Sequence, residues 1–337
     1  MTMVMTSPAP ARAAGAAAER PLVKLEGYSL RRGGRLVLDD VSFSLPRGGA
    51  IALVGESGAG KSTIAMALIG LLDGPEVRAG GVIAFDDVNE NLARAKEKTW
   101  AKLRGRRISM IFQDAGAALN PCYTVGRQLM TPLRRLNGLS KAAARERAVE
   151  LLGSVGINDP EGRLDAFPHQ LSGGMQQRVM IAIALACDPE LLLADEPTSA
   201  LDVTIQAQIV RLILEQTRRR GAACVFVLHD LALASQACDS IVVLYAGQVM
   251  ETGSCETVLR RPLHPYTKAL RSCVLEIDGA AELVPPPGGP PPLDAMPQGC
   301  RFCARCPRAL PECAVRKPPL REAAGRKVAC WNLEEDA

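Results

Sequence analysis

The segment Gly55-Glu56-Ser57-Gly58-Ala59-Gly60-Lys61-Ser62, entered from the apolar run Ala50-Ile51-Ala52-Leu53-Val54, constrains this chain more than any other. Its glycines let the backbone curl until successive N–H groups face one anion, and a helix starting near Lys61 aims its positive end at the same point. Such a loop requires a buried strand before it and a helix after it, so it predicts an α/β fold built around a phosphate. The candidate phosphate-binding residues are Gly55, Glu56, Ser57, Gly58, Ala59, Gly60, Lys61, Ser62 and Thr63. Lys61 is placed to reach terminal phosphates, and the Ser62 hydroxyl to bind Mg²⁺.

Two further apolar runs, Leu191-Leu192-Leu193-Ala194 and Cys224-Val225-Phe226-Val227-Leu228, read as strands buried on both faces of a parallel core. By contrast, Val23–Leu30 and Val41–Leu45 alternate apolar and polar residues around the Gly33-Gly34 turn, which predicts an antiparallel sheet. From about residue 92 to 186 the pattern turns charged and helical, as for a helical insertion in the α/β domain. Asp195 closes an apolar strand, where a carboxylate can hold magnesium, and Glu196 beside it is placed to take a proton from water.

The 337 residues suffice for roughly two domains, and a net charge of +4 with 4% aromatics gives no support to nucleic acid as a partner. No apolar run has the length of a membrane span, and residues 1–21 lack the apolar core of a secretory signal, so they read as a disordered tail. Pro285-Pro286-Pro287-Gly288-Gly289-Pro290-Pro291-Pro292 lies in an extended linker, 271–298. Beyond it, 299–337 is a small cysteine-rich extension, too short to hold a core without a staple. A reducing compartment argues against a disulfide framework there.

Leu171-Ser172-Gly173-Gly174-Met175-Gln176-Gln177-Arg178 resembles the signature of the ATP-binding cassette (ABC) ATPases. Gln113 matches that family's Q-loop, Ser199-Ala200-Leu201-Asp202 its D-loop and His229 its switch histidine, and the resemblance spans residues 22 to 270. It implies a P-loop ABC ATPase core with an antiparallel β subdomain and a helical subdomain. It also implies head-to-tail pairing with a second ABC ATPase, so that ATP lies between the phosphate loop of one copy and Ser172, Gly173, Gly174 and Gln176 of the other. Glu196 is then the implied general base. His229 holds the γ-phosphate, Gln113 joins Ser62 and Asp195 around Mg²⁺, Lys61 serves catalysis, and Tyr28 stacks on adenine.

Leu119-Asn120-Pro121, the stretch Ala194 to Thr204 and His264-Pro265-Tyr266-Thr267-Lys268-Ala269-Leu270 resemble the ATPases of bacterial oligopeptide and dipeptide importers. The implied function is ATP-driven import of peptides or similar small solutes. The implied location is peripheral, on the cytoplasmic face of the inner membrane, with two permease subunits and, indirectly, an extracytoplasmic solute-binding protein. The alternatives are a soluble ABC ATPase uncoupled from transport, or an importer of nickel or another non-peptide solute. Cys300, Cys306, Cys313 and Cys330 resemble that group's four-cysteine tail, which implies a [4Fe–4S] cluster; four thiolates also suit zinc, and Cys303 is a further candidate ligand.

Overall fold

The computed structural model describes residues 20–72, 74–199, 203–272 and 288–333. Most of the expected N-terminal tail, much of the Pro-rich linker and Ala200-Leu201-Asp202 of the D-loop match lie outside the described residues.

Eleven strands are described: β1 (Val23–Arg32), β2 (Arg35–Leu45), β3 (Ala50–Val54), β4 (Val77–Phe85), β5 (Ile108–Ile111), β6 (Leu191–Asp195), β7 (Ala223–Val227), β8 (Ser240–Tyr245), β9 (Gln248–Ser254), β10 (Arg321–Ala323) and β11 (Arg326–Val328). One antiparallel sheet has the order β2-β1-β4, and an eight-stranded sheet has the order β10-β11-β9-β8-β3-β7-β6-β5. The pairs from β8 through β5 are parallel; of these, β3 with β7 and β7 with β6 join the three continuously apolar runs expected to form the parallel core. Alternate residues of β3, β6 and β7 feed opposite cores. Ala52, Leu192 and Phe226 pack in one cluster, while Leu53, Leu193 and Val225 pack in the other.

The stretch expected to be helical, about 92–186, contains one strand. Ile108–Ile111 is buried throughout and pairs in parallel with β6 at the sheet edge. Four residues including a serine carry too weak a pattern to stand out in charged surroundings. The main helices after it are Val125–Arg135, Lys141–Ser154 and Gly173–Leu185.

The cysteine-rich extension does not form a unit apart. Its hairpin, β10 and β11, adds to β9 of the main sheet, while Cys300, Phe302 and Cys313 pack into the larger core cluster. Strand addition at an edge supplies the apolar burial that so short a segment lacks alone. Arg326 of β11 donates to Glu251 of β9 at 3.2 Å, and Glu251, fully buried, also accepts the N–H groups of Leu263 and His264.

Candidate nucleotide site

The phosphate loop follows β3, His229 lies two residues past β7, Asp195 ends β6 and Gln113 lies two residues past β5. These four strands are neighbours, so the chemistry gathers at the carboxyl edge of the parallel sheet, where open α/β sheets bind ligands.

Gly55 sits at φ 149°, and a Cβ there would meet the Leu244 carbonyl oxygen at 2.1 Å, so only glycine fits. Helix Lys61–Leu68 starts at the end of the loop. Lys61 is buried, and its Nζ donates to the carbonyls of Gly55 at 2.8 Å and Glu56 at 3.0 Å. Burial lowers its pKa, against the opposing pull of Glu196, Asp195 and Glu56. A buried ammonium resting on loop carbonyls, beside N–H groups curled at a helix start, fits a polyphosphate.

Ser62 donates its hydroxyl to Asp195 Oδ1 at 2.8 Å, bringing together the two groups expected to hold Mg²⁺. Burial raises the Asp195 pKa, the Ser62 hydrogen bond opposing it. Gln113 Nε2 donates to Glu196 Oε2 at 2.8 Å, and His229 Nε2 lies 2.5 Å from Glu196 Oε1. Caps fix both partners from the next residue: Asp114 accepts the N–H of Ala117, and Asp230 those of Ala232 and Leu233. Glu196 has φ 45°, in the left-handed region, and its N–H donates to the Val227 carbonyl. That conformation is costly for a glutamate and is held by its neighbours.

Ser172 caps helix Gly173–Leu185, accepting the Met175 N–H, and Gly173 and Gly174 have open space where a Cβ would stand. The helix begins at Gly173, directly after its cap. Gln176 turns inward and donates to the carbonyls of Pro168 and Leu171, so its amide faces its own turn rather than a ligand.

Tyr28 departs from expectation. It is 2% exposed among the core residues of β1, and burial pushes its pKa up to about 12. Up to Leu25 the inward residues of β1 are odd-numbered; the pairing then shifts register at Gly27, φ 57°, and Tyr28 and Leu30 point inward instead. This bulge, invisible to simple alternation, removes Tyr28 from any surface on which adenine could stack.

Sequence reasoning gave no role to Tyr266 or Arg305, both of which touch the phosphate loop. The Tyr266 hydroxyl accepts the Glu56 N–H at 2.9 Å, and Arg305 Nη1 donates to Glu56 Oε2 at 2.8 Å. The available signal was an arginine set between cysteines in a segment destined for burial.

Cys300, Cys306, Cys313 and Cys330 lie within electrostatic reach of one another, and burial raises the pKa of Cys300 to about 12 and those of Cys306 and Cys330 in the same direction. The donor set suits a soft metal. Even so, among the described residues no group of three or more Cys, His, Asp or Glu is arranged to hold a metal ion.

Residues 38–199 match the ABC transporter family, and residues 250–313 match the oligopeptide/dipeptide transporter C-terminal region. The dipeptide transport ATP-binding protein DppD of Escherichia coli is 46% identical over 302 residues, covering 89% of this chain and 92% of that protein. The chain belongs to the ABC transporter ATP-binding proteins, oligopeptide/dipeptide type. The oligopeptide transport ATP-binding protein AppD of Bacillus subtilis is 42% identical, with 89% and 92% covered. Among solved structures, the ATP-binding cassette MJ0796, a dimeric post-hydrolysis state bound to ADP and Pi, matches with TM-score 0.60 and 31% identity over 69% of this chain and 98% of that one. CbiO1 of Clostridium perfringens, part of the ABC transporter complex cbiONQ, matches with TM-score 0.62 and 26% identity over 72% and 92%. As a member of this family the chain is an ATPase that uses ATP and Mg²⁺. Among the described residues no helix is long and apolar enough to cross a membrane.

Proposed function

We propose that this ABC ATPase powers import of peptides or similar small solutes, seated on two permease subunits at the cytoplasmic face of a bacterial inner membrane. A solute-binding protein on the far side would reach it only through those permeases. The observation that carries the reading is the convergence of Lys61, Ser62, Asp195, Glu196, Gln113 and His229 in a chain whose C-terminal region matches the oligopeptide/dipeptide transporters.

In this reading the curled loop from Gly55 to Thr63 and the Lys61 ammonium receive the phosphates, and Ser62, Asp195 and Gln113 would hold Mg²⁺, which when bound would supply positive charge against the phosphates. Glu196 takes the proton of the attacking water, and His229, already beside that carboxylate, holds the γ-phosphate side of the site. Ser172, Gly173 and Gly174 stand at a helix start whose bonds run within its own turn, so they are free to cap nucleotide on a second ABC ATPase. Neither copy then has a whole site, and nucleotide state switches the pair between closed and open forms.

The cysteines of the extension, Cys300, Cys306, Cys313 and Cys330 with Cys303 beside them, are proposed to hold a [4Fe–4S] cluster, with zinc the competing occupant. Four cysteines near enough to act electrostatically on one another support this, and closing on a metal would require them to draw together. Iron and sulfide analysis after anaerobic purification decides it: neither iron nor sulfide would remove the cluster.

Transport is tested by purifying the complex with its two membrane subunits and reconstituting it in vesicles with the solute-binding protein. The expected result is ATPase activity that rises with peptide and stops in the Glu196→Gln variant. Activity indifferent to every peptide and to the permeases would discard the import reading.

A further inference from the structure

The cysteine-rich extension reaches into the phosphate loop through one side chain, Arg305. It is 9% exposed, donates to Glu56 Oε2 at 2.8 Å and to the Tyr245 hydroxyl at 3.1 Å, and lies over the rings of Tyr245 and Phe302 at 5.6 and 5.8 Å. Tyr245, Tyr266 and Phe302 pack edge-on or tilted with centroids 4.7 to 5.3 Å apart, so the guanidinium stands on a rigid aromatic floor. The turn that carries it is tied down by Cys303 N–H to the Cys300 carbonyl, Arg305 N–H to the Phe302 carbonyl and Cys306 N–H to the Cys303 carbonyl. Arg301 of the same turn, also buried, bonds the Ala246 carbonyl and reaches Asp39 at 3.4 Å.

Glu56 is the anomaly this arrangement answers. A carboxylate carried on a loop that must receive a polyphosphate repels its ligand, and its charge acts on Lys61 within the same loop. We infer that Arg305 is a positioning residue for nucleotide binding: from the C-terminal extension it cancels the Glu56 charge and fixes that side chain away from the phosphates. The extension is thereby part of the ATP site, and whatever disturbs the turn between Cys300 and Cys306 weakens nucleotide binding. This rests on the loop taking Mg-ATP, as proposed above.

The test is equilibrium binding of a fluorescent ATP analogue with Mg²⁺ to the full chain. Removing one compensating charge at this range is expected to weaken binding about tenfold in Arg305→Gln. Arg305→Lys should recover most of the loss, and adding Glu56→Gln to Arg305→Gln should bring the Kd back to within about threefold of the original. Glu56→Gln alone leaves the backbone N–H groups of the loop in place and removes only a repelling charge, so it should bind more tightly than the unaltered chain, and it carries the test should Arg305→Gln not fold. Equal losses from Arg305→Gln in both Glu56 backgrounds, no loss at all, or a weakening by Glu56→Gln as large as that by Arg305→Gln would each overturn the inference. No binding by the unaltered chain would instead remove the ATP reading beneath it.

Discussion

Ser62 and Asp195, 133 residues apart, meet through a 2.8 Å hydrogen bond at the carboxyl edge of the parallel sheet. One comes from the helix after β3 and the other from the tip of β6, two strands away across β7. The parallel register, Leu193 opposite Val225 and Val225 level with Ile51, is what brings these strand ends level. The fold's contribution to chemistry is this levelling: it puts Gln113, Glu196 and His229 in contact as well, each from a different connection.

Glu196, touched by both Gln113 and His229, is the best-placed proton acceptor. Glu196→Gln keeps the shape and loses the basicity, so turnover should fall by about 10²- to 10⁴-fold. Nucleotide binding should persist, and with ATP the variant should elute as a dimer. Steady-state hydrolysis and gel filtration check both, and undiminished turnover would take Glu196 out of the base role.

Ionisation of Asp195 is disfavoured in the nucleotide-free protein, because burial raises its pKa above the usual carboxylate value of 3.8. Its contribution to stability is whole below that value and is lost as pH rises through the folded-state pKa. Asp195→Asn cannot ionise, yet its amide oxygen still accepts from Ser62. The nucleotide-free variant should therefore melt at a higher temperature than the parent at pH 7, while the extra stabilisation by Mg-ATP disappears. Melting curves with and without Mg-ATP show both, and a lower melting temperature without ligand would contradict the burial argument.

How much of this was readable in the chain follows from how local each signal is. The phosphate loop, Asp195-Glu196 and the buried strands announce themselves within a few residues, because a curled anion cradle and a two-sided strand each need a contiguous pattern. The family pattern expects Tyr28 to stack on adenine, but one residue of bulge at Gly27 turns its ring into the core. The extension reads as a separate tail in the sequence because adding β11 to β9 depends on partners far back in the chain. Arg305 and Glu56, 249 residues apart, leave no mark on each other's neighbourhood.

His264 is fully buried beside Phe302, and its Nδ1 accepts the Tyr266 N–H at 3.0 Å, which requires that nitrogen to be unprotonated. Burial drives its pKa down to about 3. The unfolded chain binds a proton near pH 6.5 that the folded chain refuses, so stability is complete above pH 6.5 and declines as pH falls toward 3. His264→Gln should flatten the acid limb of the stability profile between pH 6 and 4 even if it lowers stability at pH 7. Urea unfolding at several pH values measures this; an unchanged acid slope would exclude His264 as its source.

The seam between β11 and β9 makes the sharpest claim about the extension. Arg326 and Glu251 have side chains 4% and 0% exposed, and the carboxylate that Arg326 neutralises also holds the backbone entering helix Pro265–Ser272. Removing one member of such a pair leaves a buried charge uncompensated, which costs about 3–5 kcal/mol. Arg326→Met should therefore lower stability by that amount in urea unfolding, whereas Arg326→Met with Glu251→Gln should recover part of it. Because Tyr266 opens the same helix and its hydroxyl holds Glu56 of the phosphate loop, the single variant should also bind nucleotide less tightly. A loss under about 1 kcal/mol would mean that water reaches the pair and that the seam is weaker than its burial implies.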